Sequence, residues 1–325
     1  MKEKEIKKKK KKRRNPFLKG FLGCIAVIIV FAGGISVLAG SALHGKLNYQ
    51  EIKSVSKEPF KEEGVKNILL IGNDSRTEDE SGRSDAMILI SISSRTNSIH
   101  MTSLLRDIYV DIPGHDGNRL NAAYAYGGPE LLMETLEENF DIEVNSYMLV
   151  NFQAFANLVD AVGGVDLEVT NDEVQLINGY LVEYNQLEGR AEGTDYLDTS
   201  LSGNLHLNGP QALAYCRNRY IGSDFARTER QRKVISAAMK NAPKALLTNG
   251  GELIDGVLGN ITTNLTKTEM SGLILQLPAM LFYDTVQGSI PLEGTYSNAS
   301  IRGMSVLEVD FEANKDYIQE EIYGK

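Results

Sequence analysis

The stretch that decides the fold is N67-I-L-L-I-G72, followed after a polar loop by A86-M-I-L-I-S-I92 and then by I99-H-M-T-S-L-L105. Each is a compact apolar run bounded by Gly, Ser, Asn or charged residues. At this length and with this many Ile, Leu and Met residues, such runs predict strands buried on both faces. A fourth run, Ile108 to Ile112, ends at Pro113-Gly114 and predicts a further strand, as do Tyr147 to Asn151 and the alternating Val165 to Thr170. Helical signals lie between and after them. Pro129 opens a periodic run to Phe140, Phe152 to Val162 presents one apolar side before Gly163-Gly164, and Asn208 caps a short helix with Pro210 in its first turn. Phe225 to Leu247 predicts a longer helix with a bend near Pro243. Thr266-x-x-Glu269 is a capping box for a helix to about Phe282, and Lys315 to Tyr323 predicts a last one. Asn171 to Asn204 has no clear period and is expected to be a long surface excursion. Strands mixed with helices without strict alternation predict an α/β fold: a central mixed β-sheet flanked by helices in an α-β-α sandwich.

Outward from that core, charge divides the chain. The net charge is −9 over 325 residues, yet the first nineteen residues hold eleven Lys/Arg and two Glu. Removing them leaves 23 basic against 41 acidic residues, a net of −18. An acidic body argues against nucleic-acid binding, which needs a basic face. The neighbouring segment explains the basic leader. Gly20 to Leu43 carries no charge and is long enough to cross a bilayer as a helix. The basic flank places residues 1–19 in the cytoplasm and the body outside. A cleaved signal peptide is the alternative, for which the apolar run is long. Residues 44–66 are polar and predict a linker, and 67–325 form one extracellular domain. Cys24 lies in the expected span and Cys216 far outside it, so no disulfide framework exists.

Two clusters carry the chemistry. The first is the loop between the first two core strands together with the end of the third: Asp74, Arg76, Arg83, Asp85 and Arg106. Two carboxylates beside strand ends suit Mg²⁺, which takes oxygen ligands and shares phosphate oxygens with its substrate; a solvated acidic loop is the alternative. The second cluster is A214-Y-C-R-N-R-Y-I-G-S-D-F-A-R-T-E-R-Q-R-K233. Its arginines form a site for a phosphate or pyrophosphate, because the guanidinium fork makes bidentate bonds to phosphate oxygens and stays charged. Some of these arginines are expected to face a pocket. Arg232 and Lys233 are expected on a solvated helix face, and Arg230 is left open. The four histidines show no zinc-ligand spacing, and Cys216 has no base in sight and is expected to be a small buried residue. No Walker loop or G-x-S-x-G motif is present.

In order along the chain stand N-I-L-L-I-G-N-D-S-R (67–76), G-R-S-D-A-M-I-L (82–89), S-L-L-R-D (103–107), R-L-N-A-A-Y-A-Y-G-G-P-E (119–130), V-N-F-Q-A-F-A-N-L-V-D-A-V-G-G-V-D (150–166), L-N-G-P-Q-A-L-A-Y-C-R-N-R (207–219), D-F-A-R-T-E-R-Q (224–231) and T-N-L-T (263–266). With these motifs the chain resembles the LytR–CpsA–Psr proteins over about residues 65 to 325. The resemblance implies a transferase that moves a wall polymer, such as teichoic acid or capsular polysaccharide, from an undecaprenyl-pyrophosphate carrier to a muramic acid C6 hydroxyl of peptidoglycan. It implies that Asp74 and Asp85 hold Mg²⁺, with Mn²⁺ as an alternative. Arg83, Arg106, Arg217, Arg219 and Arg227 would grip the pyrophosphate, with Arg76, Asn121 and Gln231 binding substrate. It also implies an apolar prenyl pocket, for which Phe152, Phe155 and Leu158 are candidates beside their simpler reading as core. The family's P-R-D is L-R-D here, with Leu105 in place of proline. Asp85 and Asp107 are the candidates for a base. A lipid-pyrophosphate phosphatase and a membrane-anchored regulator are the alternative functions.

Overall fold

The computed structural model describes residues 44–52, 64–73, 84–258, 261–280 and 282–325. The expected membrane span at 20–43 lies outside them, and among the described residues no helix is long and apolar enough to cross a membrane. The three core runs become β2 (Val65–Asn73), β3 (Ser84–Ser93) and β4 (Ser98–Leu104), antiparallel neighbours in a seven-stranded sheet. β7 (Ser146–Asn151) lies parallel to β2, and β11 (Asp284–Ile290) lies parallel to β4. β10 (Ile261–Thr263) pairs with β7, and β1 (Asn48–Tyr49) closes that edge. The sheet order is β1-β10-β7-β2-β3-β4-β11, a mixed sheet. β1 comes from the stretch expected to be a linker: Leu47 is buried and Asn48 and Tyr49 pair with Thr262 and Thr263.

Both faces of the sheet are covered, which is why its strands read as continuous apolar runs. On one face Leu69, Ile71, Met87 and Leu89 pack with Leu132, Leu136 and Phe140 of α1 (Leu120–Phe140) and with Ile318 and Ile322. On the other, Ile68, Ile88, Ile90 and Met101 pack with Leu273 and Met280 of α6 (Lys267–Met280). Each such side chain, fully buried, contributes roughly 1.5–3 kcal/mol. A further core joins α2 (Phe152–Ala161), α3 (Asn171–Leu187), α4 (Gly209–Arg217) and α5 (Asp224–Leu258) with the hairpin β8 (Val165–Val169) and β9 (Gly203–Leu207).

Local sequence fixes the helix starts. Asn151 caps α2 by accepting from Ala154 N, and Asn208 caps α4 in a reciprocal box with Gln211. Thr266 and Glu269 form the expected box at α6. Gly127 and Gly128 leave helical geometry inside α1, so the helix predicted from Pro129 is preceded by a helical segment from Leu120.

Four expectations are corrected. Asn171–Asn204 is not a surface excursion throughout, since Asn171–Leu187 is α3, opened by a Thr170–Glu173 capping box. The fourth core strand shrinks to β5 (Tyr109–Val110), which pairs with β6 (Asn118–Arg119) away from the main sheet, although Ile108, Val110 and Ile112 are buried. The helix after Phe225 continues past Pro243 to Leu258. The last helix begins at Phe311, as α7 (Phe311–Tyr317) with Asp310 as its cap, and runs into a π-helical turn, Ile318–Ile322. Between β11 and α7 the strands β12 (Tyr296–Ile301) and β13 (Met304–Val309) form a hairpin.

Candidate functional site

β2, β4, β7 and β11 run in the same direction, so their C-terminal ends, Asn73, Leu104, Asn151 and Ile290, lie at one edge of the sheet. β3 runs the other way and starts at that edge with Ser84, the Cα partner of Asn73. In open α/β sheets this is where ligands bind. Asp74, Arg76 and Arg83 lie outside the described residues, as does the side chain of Asp85. The strand ends that bracket the loop, Asn73 and Ser84, meet here at a register shift, and Asp85 is the second residue of β3.

Arg106 follows β4 at the same edge. Its guanidinium Nη2 lies 3.7 Å from Asp224 Oδ1, and Arg227 Nη2 lies 3.4 Å from the same oxygen. Two arginines from the two distant clusters thus converge on one carboxylate, at the first turn of α5. Arg227 is almost fully buried, with 3% of its side chain exposed, whereas Arg106 keeps 19%. Asp107 extends the network. Its Oδ2 is 3.5 Å from Arg106 Nε, and its Oδ1 is 3.3 Å from Arg119 Nε. Arg119 also donates to Ser305 O through Nε and Nη2. Burial pushes the Asp107 carboxyl up; Arg106 and Arg119 pull it down and Asp224 adds to the rise. The net direction is upward. Asn121, buried in the first turn of α1, donates its backbone N–H to Arg106 O at 3.3 Å and so sits beside it.

Arg217 reaches this edge by another route. It ends α4, and its guanidinium stacks over Phe152, the first residue after β7, at 4.7 Å, and over Tyr180 of α3 at 5.4 Å. Glu183 Oε2 lies 3.7 Å away. Arg219 is exposed on the loop between α4 and α5. Gln231 is one helical turn beyond Arg227, half-buried, with Oε1 sheltered from solvent.

Two readings of this stretch change. Arg232 is not on a solvated face: it donates to the buried Ser103 Oγ of β4 at 2.7 Å, and burial lowers its pKa. Lys233 does lie on the solvated face, paired with Glu229 at 2.9 Å. Arg230, left open, is buried against Glu173 at 2.8 Å. Cys216 is buried, and burial pushes its thiol up, the opposite of what a nucleophile needs. The residue that sequence reasoning missed is Asp224. Its signal was a carboxylate opening a helix three residues before an arginine. Among the described residues no three His, Cys, Asp or Glu side chains gather as a metal site.

Residues 36–321 match the LytR_cpsA_psr family. The chain belongs to that family. A polyisoprenyl-teichoic acid–peptidoglycan teichoic acid transferase, TagU, of Oceanobacillus iheyensis is 34% identical over 288 residues, which is 83% of each chain. Among solved structures, Bacillus subtilis TagT superposes with a TM-score of 0.60 at 28% identity, covering 85% of this chain and 98% of that one. A TagT structure with bound octaprenyl pyrophosphate lipid gives a TM-score of 0.58 at 26% identity, with the same two coverages. The mixed sheet with helices on both faces, expected from the strand runs, is the fold of this family member.

Proposed function

We propose that this protein is a glycopolymer phosphotransferase that attaches an undecaprenyl-pyrophosphate-linked anionic glycopolymer, teichoic acid or capsular polysaccharide, to the C6 hydroxyl of muramic acid in peptidoglycan. The observation that carries the reading is the convergence of Arg106 and Arg227 on Asp224 at the sheet edge where β2, β4, β7 and β11 end. The names of the relatives supply the substrate class: teichoic acid transfer for TagU and a polyprenyl pyrophosphate for TagT.

The acceptor oxygen attacks the sugar-linked phosphorus, and the bond from that phosphorus to the bridging oxygen breaks. A phosphodiester forms and undecaprenyl phosphate leaves with the electron pair. Such a transfer depends on positioning and on stabilising the charge of the departing phosphate. Arg106, Arg217, Arg219 and Arg227 would supply that positive charge, and Arg83 would join them by the family resemblance. Asn121, which holds the Arg106 backbone, and Gln231 and Arg76 would orient the substrate. Asp74 and Asp85 would hold Mg²⁺, or Mn²⁺; two hard carboxylates flanking paired strand ends fit an ion that shares its remaining sites with phosphate oxygens. When bound, the ion would neutralise charge on the pyrophosphate. Asp107, whose carboxyl is pushed up by burial, is the described candidate to accept the hydroxyl proton. The domain would stand outside the cell on a single span at 20–43, with residues 1–19 in the cytoplasm.

The test is incubation of the full chain in detergent with a lipid-linked glycan, peptidoglycan fragments and Mg²⁺. A phosphodiester-linked product supports the transferase. Free sugar phosphate alone identifies a lipid-pyrophosphate phosphatase and overturns the proposal. Calorimetric Mg²⁺ binding should disappear in Asp74→Ala; unchanged binding sinks the metal assignment.

A further inference from the structure

The buried pair Arg230–Glu173 stands outside the site just described. Its side chains are only 6% and 10% exposed, and Arg230 Nε donates to Glu173 Oε1 at 2.8 Å. A buried ion pair is weak evidence for stability, because desolvating two charges offsets their attraction. The rest of the guanidinium shows what this one does. Nη2 donates to Ile221 O at 2.7 Å and Nη1 to Asn218 O at 3.3 Å. These carbonyls belong to the loop from Asn218 to Ser223 that joins α4 to α5 and carries Arg219. They lie just past a helix C-terminus, where backbone oxygens lack helical partners and a cation is favoured.

The loop is tied at other points too. Asn218 Oδ1 accepts from Tyr220 N at 3.0 Å and Ile221 N at 3.2 Å, closing a side-chain turn around Arg219. Tyr180 Oη donates to Arg217 O at 2.9 Å. Glu173 is itself fixed, since its Oε2 accepts from Thr170 N at 3.0 Å in the capping box of α3. Helix α3 therefore holds the loop through Glu173 by way of Arg230, and through Tyr180 it holds the last residue of α4 from which the loop departs. Arg219 is exposed, but its backbone is held from beneath.

We propose that the Arg230–Glu173 pair is a positioning device that presents Arg219 to the pyrophosphate in a fixed geometry. Arg230 does not touch the substrate; it acts through Arg219. The inference rests on the proposed function, which assigns Arg219 to the anion. Pre-organisation of this kind matters for transfer because a displacement of about 1 Å can cost about a hundredfold in rate.

The test uses the full chain in detergent and compares wild type with Arg230→Met, Arg230→Lys, Arg219→Ala and the double variant Arg219→Ala/Arg230→Met. Transfer kinetics and amide hydrogen exchange are measured on each. Arg230→Met should lower kcat/KM by about a hundredfold and raise exchange at residues 219 to 222. Arg230→Lys, which keeps a charged donor, should recover part of both. On the Arg219→Ala background, Arg230→Met should cause almost no further loss, because its effect passes through the missing side chain. A full additional loss on that background overturns the proposal in favour of a general structural role. Full activity in Arg230→Met beside an inactive Arg219→Ala overturns the positioning device alone. Near-native activity in Arg219→Ala overturns the assignment of Arg219 on which it rests.

Discussion

Arg106→Ala separates catalysis from stability. Among the described residues, Arg106 makes ion pairs of 3.5 and 3.7 Å, and the side chains involved are 19–36% exposed. Contacts of that length and exposure contribute at most about 1 kcal/mol. For a domain of this size that corresponds to a thermal midpoint lower by about 2–4 °C. In the transition state the same guanidinium would face charge developing on a phosphate in a sheltered site, where losing one preorganised donor costs about 10²–10³-fold in kcat. The expected result is therefore a large loss of transfer with a nearly unchanged melt. Arg106→Lys keeps the charge and loses the fork, so it should fall between the two. The assay is product formation from lipid-linked glycan and peptidoglycan fragments, run beside thermal unfolding of the same preparation. Activity within tenfold of wild type refutes the placement of Arg106 at the reacting phosphate. A melting point lowered by more than about 10 °C, several times the 2–4 °C expected, refutes the claim that its ion pairs are marginal.

Two more outcomes are expected. Asp107 has its carboxyl pushed up by burial, so its contribution to stability is present below its unfolded value and is lost as pH rises through the folded one. Asp107→Asn should match wild type near pH ~4 and gain on it toward pH ~7, read by denaturant unfolding across that range; a difference that is flat or reversed sinks the reading. Gly209 opens α4 where its backbone meets α2: a Cβ there would lie 2.1 Å from Ala156 O, and Gly209 N donates to Asp160 Oδ1 at 2.6 Å. Gly209→Ala should destabilise by at least about 1–3 kcal/mol through overpacking, and an unaltered melting point would contradict that close approach.

The sheet was legible because both its faces are buried, which leaves Ile68, Leu69, Leu70 and Ile71 no alternation to obscure and makes the run stand out. Caps at Asn208 and Thr266 were legible because they depend on residues three apart. Helix α3 was missed although its Thr170–Glu173 box obeys the same rule. Its buried residues Val174, Ile177 and Leu181 are diluted by Asn, Gln and Glu, and Gly179 weakens the pattern. The arginines were legible as chemistry but not as geometry. Nothing local distinguishes Arg227, Arg230 and Arg232, yet one meets Arg106 through Asp224, one braces a loop and one reaches Ser103. Ser103 and Arg106, at and just past the end of β4, and Glu173 on α3 are far away in sequence, so only the packed fold could assign them.

The edge strand β1 has a mechanical consequence. By taking Asn48 and Tyr49 into the sheet, it keeps the chain ahead of the core from running free. On the proposed topology the tether between bilayer and sheet is His44 to Leu47, and four residues reach at most about 14 Å. Leu47 is already buried, which shortens it further. On that topology a catalytic domain on so short a leash would patrol only the outer surface of the membrane, where a polyprenyl carrier keeps its pyrophosphate. The acceptor wall strand would then have to come down to it.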